Sequence, residues 1–227
     1  MGRRLYDGRR RRRTLVAISI EDWRLEIEDL TFMKTAKILI VVLGVLTIIA
    51  LWAMNVYNAL VEGQEEVESA WAQVENQYQR RADLVPNLVA TVKGYAAHEQ
   101  ETLEGVVEAR AKATQVKVDA TRLTKEELAA FQAAQGELSQ ALGRLIAVAE
   151  SYPDLKANEN FRDLQVQLEG TENRIAVARQ LFNETAKAYN KRVRRFPSII
   201  IARICGFERK AYFEADPEAH HAPKVEF

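Results

Sequence analysis

Residues 38–61 read ILIVVLGVLTIIALWAMNVYNALV, 24 consecutive positions without a charge, most of them Ile, Leu, Val or Ala. At a rise of about 1.5 Å per residue, roughly 20 such residues cross the hydrocarbon core of a bilayer as a helix. The apolar centre from Ile38 to Met54 supplies most of that span, and Trp52 and Tyr57 fall where an aromatic interfacial belt would lie. A secretory signal peptide has the same basic-then-apolar order. This stretch, however, is longer than an h-region of about 7–15 residues, and no A-x-A cleavage pattern follows it. The expectation is a retained transmembrane anchor over residues 33–61.

The flanks orient it. Lys34 and Lys37 precede the span, whereas Glu62, Glu65, Glu66 and Glu68 follow it. The positive-inside tendency therefore places the N-terminus in the cytoplasm and residues 62–227 outside it, in a single-pass protein of the cell membrane. Residues 1–14 add seven Arg (Arg3, Arg4 and Arg9 to Arg13) against Asp7, followed by a mixed acidic stretch of no clear period. Two readings of residues 1–32 are open: a cytoplasmic basic tail that touches anionic lipid, or an upstream extension from a misassigned start, because Met33-Lys34-Thr35-Ala36-Lys37 is how a short anchored protein begins. The second is preferred.

Composition narrows the rest. The chain has 227 residues, 32 Lys+Arg against 32 Asp+Glu, 48% hydrophobic residues, ten Gly and five Pro, which excludes a disordered chain and a loop-rich β protein. One cysteine leaves no internal disulfide and no multi-Cys zinc site. A net charge of zero lacks the electrostatic footprint of a general nucleic-acid binder.

Beyond the anchor the pattern is helical. Leu60, Val67, Val74, Leu88 and Tyr95 form one row at spacings of seven, broken by Arg81, and Trp71, Tyr78, Val85 and Val92 form a second; together they make one stripe on a long helix. Pro86 should kink or divide that helix near Arg80 to Pro86. A second helix starts at the Thr124/Glu127 capping box, carries Leu128, Phe131, Leu138, Leu142 and Leu145, and stops before Ser151-Tyr152-Pro153-Asp154. A third begins near Asn158, carries Phe161, Leu168, Ile175, Phe182, Tyr189 and Phe196 at strict sevens, and ends where Pro197 disfavours continuation. The fold class is therefore all-α: a transmembrane helix, then an elongated antiparallel bundle of three long helices over residues 62–196, or four if Pro86 is a true break. A first helix of roughly 60 residues (about 90 Å) against a second of roughly 27 (about 40 Å) would leave part of the first projecting, packed on the last helix only, or meeting another molecule.

Residues 197–227 read as an extended tail, through Ser198 to Arg203, Gly206-Phe207, Tyr212-Phe213 and Ala222 to Phe227. Such a tail either folds back to cover the bundle, the preferred reading, or serves as a docking strand or hydrophobic peptide for another protein. Little chemistry is encoded. His98 stands alone, His220 and His221 have no ligand-spaced partner, and Ser198 and Cys205 have no histidine at a recognisable spacing. Cys205 reads as a small buried residue. No cofactor and no enzymatic activity are expected. Arg80, Arg81 and Asp83, just before Pro86, form the most suggestive polar cluster. They read as exposed ion pairs with Glu169, Glu172 or Glu184 on the last helix, or as a docking surface for an acidic segment. The candidate partner-binding residues are thus Arg80, Arg81, Asp83 and Pro86, together with Phe196, Ile199, Ile200, Ile201, Phe207 and Phe227.

A family resemblance rests on the uncharged anchor, Tyr57-Asn58, Ala70-Trp71, Gln77-Tyr78-Gln79-Arg80-Arg81, Asp83-Leu84-Val85-Pro86-Asn87-Leu88-Val89, Val92-Lys93-Gly94-Tyr95 and His98-Glu99. Tyr189-Asn190, Phe196-Pro197-Ser198, Gly206-Phe207 and Tyr212-Phe213 extend it to the C-terminus. From about Met33 to Phe227 the chain resembles the LemA family of bacterial membrane proteins. The resemblance implies a membrane-tethered helical bundle without enzymatic activity, and a TPM-domain membrane protein as a partner. The expected function is a membrane-anchored scaffold or adaptor of the cell envelope that binds lipid and other membrane proteins. The alternative is a self-assembling, homo-oligomeric envelope protein.

Overall fold

The computed structural model describes the backbone of residues 9–214 and the side chains of residues 32–214. Its helices are α1 (Arg9–Lys93), α2 (Gln100–Gln115), α3 (Lys125–Ala149), α4 (Pro153–Ala157), α5 (Glu159–Arg194) and α6 (Ser198–Cys205), with a 3-10 turn at Ala120–Arg122. The fold is all-α, and the described residues contain no strand. The side chains of the Arg run, of His220 and His221 and of the terminal Ala222 to Phe227 segment lie outside the described residues.

The chain divides into two units, Met1–Asn55 and Val56–Phe227. In the first, the large apolar side chains from Ile38 to Leu51 all face outward, and none of the apolar window is buried. The core helix of a soluble protein would bury such a surface; a helix whose solvent is lipid leaves it bare. It is the one helix among the described residues long and apolar enough to cross a membrane.

In the second unit, α1 from Val56, α2, α3 and α5 run up, down, up and down. Arg192 at the end of α5 donates to the Ala59 carbonyl (3.1 Å), while Asn158 at its start donates to the Tyr95 hydroxyl (2.9 Å), so α5 is antiparallel to α1. Gly63 allows the closest approach: a Cβ there would lie 3.3 Å from both Arg192 and Tyr189. The rows read from the sequence form the seam. Leu60, Val67, Val74 and Leu88, Trp71, Tyr78, Val85 and Val92, the five leucine and phenylalanine positions of α3, and Phe161 through Tyr189 of α5 are all buried. The capping box at Thr124 and Glu127 is fully formed.

Two apolar clusters result. One joins Trp71 and Tyr78 of α1 to Phe131 of α3, Phe182 of α5 and Phe213 of the tail. The other joins Val85 to Val92 with α2, the second half of α3 and the start of α5. In the first, the Trp71 ring stacks on Phe213 at 5.8 Å and meets Phe131 and Phe182 edge-on at 5.3 and 5.6 Å.

Several expectations are corrected. The long first helix ends at Lys93; a turn over residues 94–99 reverses the chain into α2. The bundle portion of α1 is therefore matched by the 36-residue α5, and the inferred projection of the first helix does not arise. Tyr95, past the helix end, is exposed rather than part of the stripe. Pro86 does not divide α1. Proline has no N–H for the carbonyl four residues earlier, which is Ala82, and that carbonyl instead accepts from Arg110 Nε of α2 at 2.7 Å. Residues 151–157 hold the short α4 rather than a bare turn. Phe196, the last of the sevens, lies beyond α5 and is 76% exposed.

The segment after Pro197 is also corrected: Ser198–Cys205 is helical, not extended. Its β-branched run is held in a helix by tertiary burial of Ala202 and packing of Ile201 on the lower core, a contribution larger than the intrinsic bias against helix. Gly206, at φ +76°, ends it, and Phe207 N–H returns to the Ala202 carbonyl. Cys205 is exposed, not buried, because it lies on the outer side of this last turn.

Removing the Arg110 donor should cost about 1–3 kcal/mol by leaving a buried carbonyl unpaired. Pro86→Ala supplies a backbone N–H for the same carbonyl, so Arg110→Ala should cost measurably less in that background. Denaturation followed by circular dichroism on the four combinations checks this, and equal losses would refute the substitution of one donor for the other.

Candidate interaction surface and its polar supports

The guanidinium of Arg81 is the largest polar group in the core, 1% exposed. It occupies the position at which the first apolar row is interrupted. Its Nη1 donates to Glu172 Oε1 of α5 (2.7 Å) and Ser139 Oγ of α3 (2.6 Å), and its Nη2 donates to the carbonyl and side-chain oxygens of Gln135 at 3.0 and 2.7 Å. Gln135 Nε2 in turn donates to Ala113 O of α2 (3.2 Å). Four helices therefore meet in one hydrogen-bonded layer between the two apolar clusters. The Tyr78 ring lies 5.1 Å from the guanidinium, and burial holds its phenol above the ordinary range.

Of the three carboxylates expected to pair with this cluster, Glu172 is the one that does, and its side chain remains 44% exposed. The expected exposed Arg80–Arg81 pair is split. Arg81 turns inward because it lies on the seam of α1, whereas Arg80, one position before it, faces solvent with Asp83 and Pro86. Asp83 accepts from Gln79 Nε2 at 2.8 Å. Gln135 and Thr171 were missed in the sequence; both lie at seam spacing on their helices and are buried, which is the signal that could have found them.

The tail folds back along the bundle, as the preferred reading had it, for residues 207–214. Two asparagines of α5, seven apart, hold it. Asn190 Oδ1 accepts from Lys210 N–H (2.9 Å) and its Nδ2 donates to Lys210 O (2.8 Å); Asn183 makes the same pair with Phe213 (2.9 and 3.0 Å). Each side chain thus acts as a strand edge would. Ala211 N–H reaches Leu123 O at 3.2 Å, and the Lys210 ammonium donates to Ala120 O (3.1 Å) and Thr121 O. Desolvation holds the Lys210 ammonium below its usual range. Burial pushes the Tyr189 phenol up to about 12, reinforced by Glu208 and Glu68.

Outside this frame, Ile200 of α6 is exposed, Ile199, Ile201 and Phe207 are half-buried, and Phe227 lies outside the described residues. A shallow, open groove of about 950 Å³ runs between α1 and α5, lined by Glu62, Glu65, Glu66 and Glu184 together with Ala70, Leu181 and Ala188. It continues past Gln73 to Val177, which is 67% exposed. His98 is exposed, and among the described residues no three His, Cys, Asp or Glu side chains converge.

Comparison with known proteins gives a consistent picture. A family model described as the LemA family matches residues 70–227. Magnetosome protein MamQ 2 of Paramagnetospirillum magneticum is 30% identical over 199 residues, 80% of this chain and 73% of its own. Protein LemA of Metamycoplasma hominis is 25% identical over 158 residues, 70% of this chain and 68% of its own.

Arg81→Ala should cost about 2–4 kcal/mol, since it strands Gln135 and opens a cavity, whereas Arg80→Ala should change stability by less than about 0.5 kcal/mol. Arg81→Met, which refills the volume, should be tolerated much better than Arg81→Ala; chemical denaturation of the three variants reads the order. At high pH, the neutral Tyr189 phenol favours the folded chain. That contribution is complete below the unfolded pKa of 10.0 and is lost as pH rises toward the folded value of about 12. Tyr189→Phe should flatten stability across that interval, and an unchanged slope would show that Tyr189 is not its source.

Proposed function

The chain belongs to the LemA family, and from that premise we propose that it is a non-enzymatic, single-pass membrane scaffold whose bundle binds other membrane proteins. The observation that carries this reading is the α1/α5 groove. The tail closes the bundle on another side, yet Val177 and Leu181 remain exposed at 67% and 42% beside that groove. The acidic lining of Glu62, Glu65, Glu66 and Glu184 includes residues close in sequence to the anchor, Glu62 following Met54 by eight residues. A helix of a membrane neighbour with Lys or Arg just outside the bilayer complements both features. Arg80, Asp83 and Pro86 form a second exposed strip available to such a neighbour, and the family resemblance favours a TPM-domain protein in that role. The buried cations support the non-enzymatic reading, because Arg81 and Lys210 hold helices and tail together rather than facing a cleft. Lys34 and Lys37 favour a bundle outside the cytoplasm. Confinement to the membrane raises the effective concentration for such partners without any added contact.

Self-assembly has one specific observation in its favour. Val166 and Val177, each 67% exposed and eleven residues apart, share one face of α5, where a second copy could lie alongside.

A photo-crosslinking probe at Val177 in intact cells, with a control probe at Glu137 on the α2/α3 side, should give adducts to a defined foreign membrane protein from Val177 alone. Adducts only to the chain itself would establish self-assembly in its place, and no protein adduct from Val177 would refute both.

A further inference from the structure

Helix α6 carries an exposed apolar edge that the bundle does not use. Ile200 and Ile204, four apart on the helix, are 48% and 76% exposed, and Phe196, two residues before its start, is 76% exposed, while the opposite side of the helix buries Ala202. Around this edge the charge is one-sided. Residues 191–209 contain Lys191, Arg192, Arg194, Arg195, Arg203 and Arg209 against the single acid Glu208. Among the described residues none of these six cations forms an ion pair. An apolar edge with cations outside any ion pair close to it in sequence is a poor surface in water and a good one for a bilayer interface with anionic headgroups.

Chain connectivity brings such a surface within reach. The Phe207 ring, just past α6, packs edge-on against Tyr57 at 5.7 Å, and Arg192 donates to Ala59 O. Tyr57 is three residues beyond Met54, the last residue of the apolar centre, so at most about 11 Å of chain separates them in any conformation. Tyr57, which Phe207 touches, is thus only three residues along the chain from the end of the apolar run.

We propose that α6, with Phe196 and the surrounding arginines, is a foot that rests on the anionic membrane surface. Ile200, Ile204 and Phe196 enter the headgroup–acyl boundary, and the Arg side chains reach lipid phosphates. The proposal rests on the anchor reading, and the two fail differently. A chain that does not float with liposomes refutes the anchor, whereas one that floats with α6 in water refutes the foot alone.

Cys205 makes the test direct, being the single cysteine and exposed beside Ile204. The full chain is spin-labelled at Cys205 and reconstituted at high lipid-to-protein ratio into phosphatidylcholine, with and without phosphatidylglycerol. Collisional relaxation by oxygen and by a neutral nickel chelate then reports depth. In the anionic liposomes oxygen collisions should exceed nickel collisions, and the ratio should reverse in phosphatidylcholine alone. Replacing Arg194, Arg195 and Arg203 by Gln should restore the phosphatidylcholine ratio in anionic liposomes, and Phe196→Ser with Ile200→Ser should abolish the protection. Free nickel access in both lipids, or equal protection in both, overturns the anionic foot, and these wild-type readings stand even where a variant fails to fold. Protection that grows with protein-to-lipid ratio assigns the edge to a second copy. Protection found in native membranes but not in liposomes assigns it to a protein partner.

Discussion

A single charged side chain at the centre of the seam sets the arrangement of the bundle. Arg81 stands in a row whose other buried members on α1 are Leu or Val, and burying a guanidinium is tolerable only if its donors are satisfied. Glu172, Ser139 and Gln135 provide acceptors for both terminal nitrogens, one on α5 and two on α3, and only Nε is left without a partner. Apolar seams at seven-residue spacing can slip by one heptad with modest loss of contact. A buried fork that must find three named acceptors cannot, because the slipped pairing would bury it unpaired. The layer therefore acts as a register pin, in the way a lone polar residue does in a coiled coil. It lies at the boundary between the aromatic cluster around Trp71 and the aliphatic cluster around Leu138, so it also fixes which half of each helix faces which.

The two halves solve the same covering problem differently. Above the layer, α2 completes a four-helix cross-section. Below it α2 has ended, and the missing helix is replaced by the extended tail, with Phe213 filling the space beside Trp71 and Phe182. An extended segment laid on helices has unpaired backbone groups, which burial would make costly. Asn183 and Asn190 answer that need: an amide side chain offers one donor and one acceptor, the same pair a neighbouring strand would present. Their spacing of seven puts both on one face of α5, and the tail residues they hold, Lys210 and Phe213, are three apart. The tail is thus part of the core, and its sequence is constrained by hydrogen bonds that a helical pattern does not reveal.

Much of this was legible in the sequence where physics is local or periodic. The capping box, the stop before Pro197 and the buried rows follow from spacing alone. What was misread has identifiable causes. The turn at residues 94–99 lacks a Pro or a cluster of turn formers, and its apolar neighbours Val92 and Ala96 keep helical spacing across it, so the reversal is set by packing of α2 against α3. In the sequence Arg81 reads as a gap in a stripe, because a charged residue is assigned to the surface by default. Only its alignment with Gln135 and Thr171, two other polar residues on seams, shows that the gap is an interior layer. The run Ile199 to Ile201 was read as extended from its β-branched character, yet the end of α5, the Ser198 hydroxyl 2.7 Å from the Arg192 and Arg195 carbonyls, and the Gly206 cap make a helix there. The inward or outward facing of Phe196 and Cys205 depends on how α6 docks, which is a tertiary property.

The proposed foot and the proposed groove bear on each other through the position of the anchor. A lone helix fixes where a bundle leaves the membrane but leaves its tilt free, and a freely tilting bundle presents its acidic groove to the membrane and to bulk water alike. A second contact at α6 would remove that freedom at small cost, because α6 and the end of α5 already pack on the segment from Tyr57 to Gly63, which follows the span in sequence. With tilt restricted, the Glu62–Glu66 end of the groove stays within a few turns of the headgroups. A soluble protein gains little from a site so close to a surface, whereas a membrane neighbour carrying basic residues just outside its own span meets it without leaving the bilayer. Basic foot and acidic groove, at the same end of one bundle, would in this proposal divide the two roles: the first would hold lipid, and the second, kept clear of anionic lipid by its own charge, would remain open to a protein.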